Sequence, residues 1–402
     1  MASSAPVIDW RSQELPQFKG AAGWEFTELK GFDLASFPTA EGGDLSVQTT
    51  PVLEAPENSV RLKQVDHAWS RTDNAVSDGP LVMSLSQALQ DHPELVDQHL
   101  GSVVDAGEHV FTARNAAEWE GGAFVYVPRG VKVEAPIVLD AIQAQAGTSL
   151  NWRVLVVLEE GAEAEVWEQY TSTADGLFTT VTELVVGQNS RLRFVSGQEL
   201  DERSWIFGTQ RARVARDGTL DWVVLGFGSG NGKIFQNTIL DGEGAEGKVT
   251  GAYATRGRQH LDFETTQEHV AANCNSDLAF RGILGGRSSV VWRGMIKVDR
   301  GAQQTDAFQE SRNLLLTKTA HADAIPGLEI LADDVRCTHA AAIAQIDPEQ
   351  LFYLRTRGLR LETAERLVVE GFLAELVERF EQGAMREALA TALERRLETI
   401  LG

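Results

Sequence analysis

The sequence predicts a mainly β protein, with a parallel β-helix core over residues 121–346 and helical segments on both sides. Apolar patterns of period two begin near Gly121 and fill this region. Glycine turns at Gly161, Gly187 and Gly218 recur at spacings of about 26 to 31 residues, the range of repeated supersecondary units. No helical pattern separates the strands, which argues against a doubly wound sheet.

An antiparallel sandwich or barrel also fits a run of short strands. The core region is long and quasi-repetitive, and this favours the β-helix. A solenoid exposes apolar surface and unpaired strand edges at its ends, so we expect the flanking helical segments to cap it. The strands predicted first along the chain are residues 124–128, 131–139, 151–158, 164–170, 179–186, 191–195, 209–214 and 220–225.

Residues 1–120 are predicted to form an N-terminal, partly helical domain. Prolines and polar turns interrupt residues 1–80, which read as irregular structure. The pattern becomes helical over residues 84–103, where leucines recur at near-helical spacing and Pro93 marks a break.

Residues 347–402 are predicted to form a C-terminal helical domain. Asp347 is a good N-cap, Pro348 suits the first helical position, and Gly358 suits a left-handed C-terminal residue. Two more amphipathic helices follow over about 363–380 and 385–400. From the pattern alone, these helices either present a surface to another protein or cap the solenoid.

Composition excludes several function classes. The formal charge of −22 argues against nucleic acid or an anionic membrane as the main partner, because both would repel the chain. Two cysteines in 402 residues give no disulfide framework, and residues 1–10 lack the pattern of a signal peptide. No stretch has the apolar length of a membrane helix. We therefore expect a cytoplasmic protein.

Two enzyme-like patterns fail on inspection. Residues 242–248 match G-x-G-x-x-G and nearly match a Walker A loop, but a strand-like segment follows where phosphate binding needs a helix. No Ser-His-Asp arrangement is identifiable, since G-x-S-x-G is absent. A β-helix carbohydrate-active enzyme is the rival from another class, although no cluster of acids stands out from the acidic surface.

Cys337 and His339 are the strongest candidate site residues. In a strand, residues i and i+2 project to the same face, so the thiol and the imidazole would point together. The pair suits iron or zinc, but such sites normally need three or four protein ligands. It is therefore either a structural pair or half of a site that another subunit completes. His260, His269 and Cys274 form a weaker set, read as independent polar positions.

The residues around this pair resemble the SufB/SufD family of iron–sulfur cluster assembly scaffolds. The resemblance is carried by residues 313–316, 326–330, 332–339 and 351–358, and extends by architecture back to about Gly121. Between the two paralogues, the Asp333-Asp-Val-Arg-Cys-Thr-His339 run follows the SufD pattern. A SufB-type paralogue remains the alternative.

The resemblance implies a non-catalytic scaffold with a right-handed parallel β-helix. It implies a SufB-like partner and a SufC-like ABC-type ATPase docked on the C-terminal helices. It places His339, with Cys337 auxiliary, at the SufB interface, where a transient iron–sulfur cluster or iron is shared. ATP then belongs to SufC, a flavin could join the complex, and the isolated chain could form a homodimer. The docking residues expected on the second tail helix are Leu367, Phe372, Leu376 and Phe380.

Overall fold

A computed structural model describes residues 8–71 and 79–401. The start of the predicted N-terminal domain, residues 1–7, lies outside the described residues, as do residues 72–78 and 402. The core is a parallel β-solenoid. From β4 onward each strand pairs in parallel with the strand two further along the chain, so successive strands alternate between two sheets.

The two sheets are named here after their last strands. The β19 sheet contains β1 (Val60–Val65), β2 (Ala68–Arg71), β5 (Ile137–Gln143), β7 (Glu163–Ser172), β9 (Arg191–Glu199), β11 (Thr219–Gly226), β13 (Glu246–Thr255), β15 (Asn275–Leu284), β17 (Asp306–Leu315) and β19 (Arg336–Gln345). The β18 sheet contains β3 (Leu81–Met83), β4 (Ala123–Val127), β6 (Thr148–Leu158), β8 (Gly176–Val186), β10 (Trp205–Val214), β12 (Asn231–Leu240), β14 (His260–His269), β16 (Ser289–Val298) and β18 (His321–Ile330).

Strict register stacks equivalent residues of successive coils. Val166 pairs with Phe194, Phe194 with Trp222, Trp222 with Val249, and Val249 with Leu278. All five are fully buried between the two sheets. The register defines coils of about 27 to 31 residues, which matches the spacing of the glycine turns. The predicted fold class, a parallel β-helix with helical flanks, is confirmed.

The N-terminal end of the solenoid is covered by the chain itself. Strand β2 pairs antiparallel with β1, and β3 pairs antiparallel with β4. Helix α1 (Leu85–Asp91) packs on β4 and β6, α2 (Pro93–His99) packs on α1, and the two are separated at Pro93 as predicted. Helix α3 (Val110–Glu118) packs further along the β18 sheet, on β6, β8 and β10. The β19 sheet begins within the N-terminal region, because β1 pairs in parallel with β5.

The C-terminal helices form as the sequence predicts. They are α4 (Pro348–Thr356), α5 (Leu361–Val377) and α6 (Ala384–Leu401). The Asp347 side chain accepts a hydrogen bond from the backbone N–H of Glu349, and Gly358 has a φ of 93°. Among residues 8–71 and 79–401, no helix combines the length and apolar character needed to cross a bilayer.

The tail helices do not cap the solenoid. Helix α5 packs on β15 and α6 on β13, against the outward face of the β19 sheet. Outward residues of that sheet, such as Val223 and Leu225, form one buried cluster with Leu373, Leu389 and Leu393. The expectation of a C-terminal cap was wrong, because the apolar faces of the tail helices pack against the outward face of the β19 sheet and not over the last coil.

Replacing Leu373 by alanine should therefore destabilise the protein. Leu373 is 3% exposed in the helix–sheet cluster, so the substitution leaves a cavity that should cost about 2–4 kcal/mol of the free energy of unfolding. Urea denaturation measures this loss. Leu367→Ala on the same helix is the control, because Leu367 is 49% exposed and its replacement should change stability by less than about 0.5 kcal/mol. Equal losses in both variants would contradict the packing described.

Candidate functional site

The C-terminal end of the solenoid is open. Strands β18 and β19 are the last in their sheets, and no further coil covers them in the described chain. Leu328 and Ile330 pair with Ile296 and Val298, whose side chains are fully buried inside the previous coil. The same inward positions in the last coil are 38% and 39% exposed. Apolar side chains that would be interior elsewhere therefore meet solvent here.

Cys337 and His339 point inwards at this open end. Cys337 pairs with Ala307, and His339 with Gln309, which pairs in turn with the core residue Leu278. Because the register is parallel, residues on one ladder share a face, so both side chains belong to the interior face of β19. Cys337 is half-buried against a small apolar cluster that includes Ala302, whereas His339 is exposed.

The free edge of β19 carries the backbone groups of the same two residues. The N–H of Arg336 donates to the carbonyl of Thr305, the residue before β17. Since alternate residues of a strand face opposite neighbours, even-numbered residues bond to β17 and odd-numbered residues face outwards. Cys337 and His339 are odd-numbered. Their N–H and C=O groups line an edge that can accept another strand.

The edge of β18 is less suited to pairing. The N–H of Leu331 donates to Val298, and that of His321 to Ser288, so odd-numbered residues of this strand bond to the previous coil. The even-numbered Pro326 therefore lies with its nitrogen toward the free edge. Proline has no N–H to donate, and it interrupts the row of groups that a partner strand would need.

Both cysteines are free thiols in different environments. Cys274 is fully buried, and its thiol donates to the carbonyl of Gly242 at 3.3 Å. Burial raises the pKa of the Cys337 thiol, and the carboxylate of Asp306 raises this pKa further. Cys337 is therefore held largely as a thiol at neutral pH, and a cation close to the sulfur would favour the thiolate.

The other candidate ligands do not join this pair. His260 Nδ1 lies 2.7 Å from Ser289 Oγ, and His269 Nε2 lies 2.8 Å from Ser276 Oγ. Burial lowers the pKa of His269 to about 4, so its imidazole is neutral. Within the described residues, no three His, Cys, Asp or Glu side chains form a set that could hold a metal ion. The reading of His260, His269 and Cys274 as independent positions agrees with these contacts.

The glycine-rich run that imitates a nucleotide loop is a turn between strands. Residues 241–245 connect β12 to β13, and Lys248 lies within β13. Its ammonium group donates to the carbonyl of Arg379 at 2.7 Å. No helix begins there, so no helix N-terminus faces the loop.

Comparison with known proteins places the chain in a family. Residues 141–372 match the family described as "SUF system FeS cluster assembly, SufBD core domain", and residues 63–139 match "SufBD protein N-terminal region". The iron–sulfur cluster assembly protein SufD of Bacillus subtilis (strain 168) is 30% identical over 384 residues, which cover 93% of this chain and 88% of that protein. The chain belongs to the SufB/SufD family.

A second relative agrees with this assignment. An iron–sulfur cluster assembly SufBD family protein of Staphylococcus aureus (strain USA300) is 30% identical over 299 residues, 73% of this chain and 64% of that protein. The family resemblance seen in residues 313–358 is confirmed, and so is its SufD-like character. The chain is thus a SufD-like member of an iron–sulfur cluster assembly family.

The docking residues expected on this family member are only partly accessible. Leu376 and Phe380 are 1% and 3% exposed and pack against the β19 sheet, so a partner cannot reach them without moving α5. Phe372 is half-buried beside the same cluster. Leu367 is exposed. The helical pattern identified one broad apolar stripe, and most residues of that stripe pack against the β19 sheet of the same chain.

Two accessible aromatic residues lie on the preceding helix. Phe352 and Tyr353 of α4 are 69% and 57% exposed, and no residue of α4 is buried. Tyr353, Leu354 and Leu367 line a groove of about 540 Å³ between α4 and α5. The candidate residues predicted from the sequence did not include Phe352 and Tyr353. The available signal was the run of four apolar residues from Leu351 to Leu354, because four consecutive residues spread around a helix of 3.6 residues per turn and cannot all face one core.

The two thiols should differ sharply in reactivity. In the native chain iodoacetamide should label Cys337 and leave Cys274 almost unlabelled, because Cys274 is fully buried. The labelling rate of Cys337 should keep rising above the ordinary thiol pKa of about 8.5, since its pKa is raised. Asp306→Asn should lower that pKa and increase the rate at pH 8 by a few-fold. Mass spectrometry of peptides reads out each site. Equal labelling of both thiols would contradict this environment.

Proposed function

We propose that the chain is a non-catalytic scaffold subunit that builds a nascent iron–sulfur cluster together with a SufB-like paralogue. In this proposal residues 121–346 form the scaffold core, residues 347–402 form the docking domain for a SufC-like ABC-type ATPase, and residues 1–120 form the N-terminal domain. The observation that carries it is the open C-terminal coil, where an inward-facing thiol and imidazole meet solvent on an unpaired strand edge.

The chemistry of the pair suits iron. A thiolate and an imidazole are established ligands for iron in proteins, and an iron–sulfur cluster needs several such ligands. Cys337 and His339 supply at most two. The remaining ligands would come from the SufB-like chain, and the cluster or iron would be cargo that leaves after assembly. His339 is the principal ligand in this proposal because it is exposed, and Cys337 is auxiliary.

The open end also explains why a protein partner is needed. Leu328, Ile330 and Ile343 are more than a third exposed on the last coil, and covering them removes apolar surface from water. A strand of the partner laid along β19 would satisfy the free N–H and C=O groups beside Cys337 and His339. Strand pairing along β19 and burial of these apolar side chains would then enclose Cys337 and His339 at the same time.

His339→Ala should abolish or strongly reduce cluster assembly in the reconstituted three-protein complex. The imidazole is the exposed ligand of the half-site, and the variant should still bind its partners because the apolar rim of the open end is intact. Cluster formation is followed by visible absorption and by iron and sulfide analysis. The matched control is His321→Ala on β18, whose side chain is 69% exposed and forms a hydrogen bond with Asp323. If the complex with His339→Ala formed clusters as the native complex does, the proposed role of His339 would be refuted.

For the ATPase, the support is the exposed surface of α4 and α5. Tyr353 and Leu367 border the groove between these helices, and Phe352 is exposed on α4. ATP would bind and be hydrolysed only on the partner, and a flavin would belong to the assembled complex. The same proposal places the chain in the cytoplasm, as its cysteine usage predicts.

Leu367→Asp should weaken binding of the ATPase by about tenfold or more, because a charge would replace an exposed apolar contact in the groove. Isothermal titration calorimetry measures the dissociation constant. Leu45→Asp, at a 36% exposed leucine in the N-terminal region, is the control. Deleting residues from Leu359 onward is a poorer test, because it would uncover the apolar face that α5 and α6 bury. If Leu367→Asp bound the ATPase as tightly as the native chain, the groove between α4 and α5 would not be the docking surface.

A homodimer is the alternative state of the isolated chain. The same uncovered coil would then meet its own copy, with β19 against β19. Analytical ultracentrifugation with and without the SufB-like partner distinguishes the two states, since the paralogue should displace the second copy.

A further inference from the structure

Strand β17 lies directly beneath the candidate site and carries functional groups on both faces. Its inward residue Gln309 pairs in register with His339, and its outward residue Glu310 pairs with Ala340. Strands β17 and β19 are about 4.8 Å apart, the usual spacing of neighbouring strands. Contacts that hold β17 in place therefore also hold the segment of β19 that contains His339.

Inside the solenoid, Gln309 braces the last two coils. The residue is fully buried, and its Nε2 group donates to the carbonyls of Gly294 at 3.3 Å and Gly327 at 2.9 Å. Gly294 permits this, because a Cβ there would collide with the Gln309 amide and with the ring of Trp292. Gln309 thus ties β17 to β16 and to the terminal strand β18.

Outside the solenoid, Glu310 is the centre of a four-residue charge cluster. Its carboxylate lies 2.6 Å from Arg281 on β15 and 3.1 Å from Arg312 on β17. Glu375 on α5 joins the cluster at 2.9 Å from Arg281 and 3.7 Å from Arg312. The Arg281 guanidinium also lies 5.9 Å from the centre of the Phe372 ring.

The Arg281–Glu310 pair is desolvated, unlike most ion pairs of this chain. The two side chains are 5% and 10% exposed. Removing one partner of a buried pair leaves the other charge without compensation, which destabilises the structure around it. The pair therefore holds β17 against β15 and α5 more firmly than a surface ion pair would.

The cluster also connects the two surfaces of the proposed function. Glu375 lies one helical turn beyond Gly371, which lines the groove between α4 and α5. In the described chain, no hydrogen bond or ion pair joins α4, α5 or α6 directly to β19. The polar contacts of Glu375 reach strand β17 through Arg281, which pairs with Glu310, and through Arg312.

We propose that Glu310 is a positioning residue for His339, and that its link through Arg281 to Glu375 makes the α4–α5 surface and the open coil respond to each other. The single-chain part of this inference stands on the contacts alone. The coupling part rests on the proposed ATPase docking. Coupling requires that the conformation of the terminal coil change when the contacts of α5 change.

The first test uses the isolated full-length chain with Glu310→Gln. Hydrogen exchange of residues 336–345 and iodoacetamide labelling of Cys337 should both accelerate by about tenfold, because the outer tie of β17 is lost. Labelling of the fully buried Cys274 and the midpoint of urea unfolding report general destabilisation and should change little by comparison. Glu310→Asp should restore most of the native exchange.

A matched control separates this role from ordinary surface electrostatics. Glu165→Gln removes a carboxylate from the same face of the same sheet, where Glu165 pairs with Arg193 at 3.2 Å. It should leave exchange in residues 336–345 unchanged. The positioning role is overturned if Glu310→Gln leaves β19 exchange and Cys337 labelling at their native values, or if both thiols accelerate equally.

The second test adds the SufC-like ATPase with a non-hydrolysable ATP analogue. Binding should change the exchange of residues 336–345 in the native chain, whereas Glu375→Gln should bind the ATPase and lose most of this response. A native chain that binds the ATPase without any response in β19 would overturn the coupling. A native chain that fails to bind the ATPase would refute the docking proposal, and the single-chain result for Glu310 would still stand.

Discussion

Parallel pairing between every second strand is the constraint on which this structure depends. Each coil buries its inward side chains only because the next coil covers them, as the stack from Val166 to Leu278 shows. The last coil has no such cover. Its inward residues keep the apolar character of the ladder but meet solvent, so the geometry that stabilises the core also creates an unsatisfied surface.

The two ends of the solenoid solve this problem differently. At the N-terminal end, β2 and β3 turn antiparallel, and the inward residues Leu62 of β1 and Val82 of β3 are fully buried, so the chain covers its own first coils. At the C-terminal end, the helices that follow β19 pack along the side of the core instead. A tail long enough to cover the last coil is thus used elsewhere. The open end is a consequence of where the tail finds its apolar partner.

The sequence predicted the coil repeat because period-two patterns and glycine turns are local features. It also predicted that Cys337 and His339 share a face, since that needs only a strand. It could not predict where α5 packs. Leu367 and Leu376 belong to one helical stripe, yet one is exposed and the other buried against strands distant in sequence. It also could not predict that Gln309 and Glu310 flank the candidate site, because this depends on the register between β17 and β19.

The position of the proposed half-site would link assembly to chemistry. On the isolated chain Cys337 has a raised pKa and His339 is exposed, so the pair is a weak ligand set in water. A partner that covers Leu328 and Ile343 would exclude water from the same coil and add ligands at the same moment. Exclusion of water strengthens the attraction between a thiolate and a metal cation. In the proposed function, a cluster would therefore be held tightly while the interface is closed and loosely once it opens, as a scaffold that releases its cluster requires.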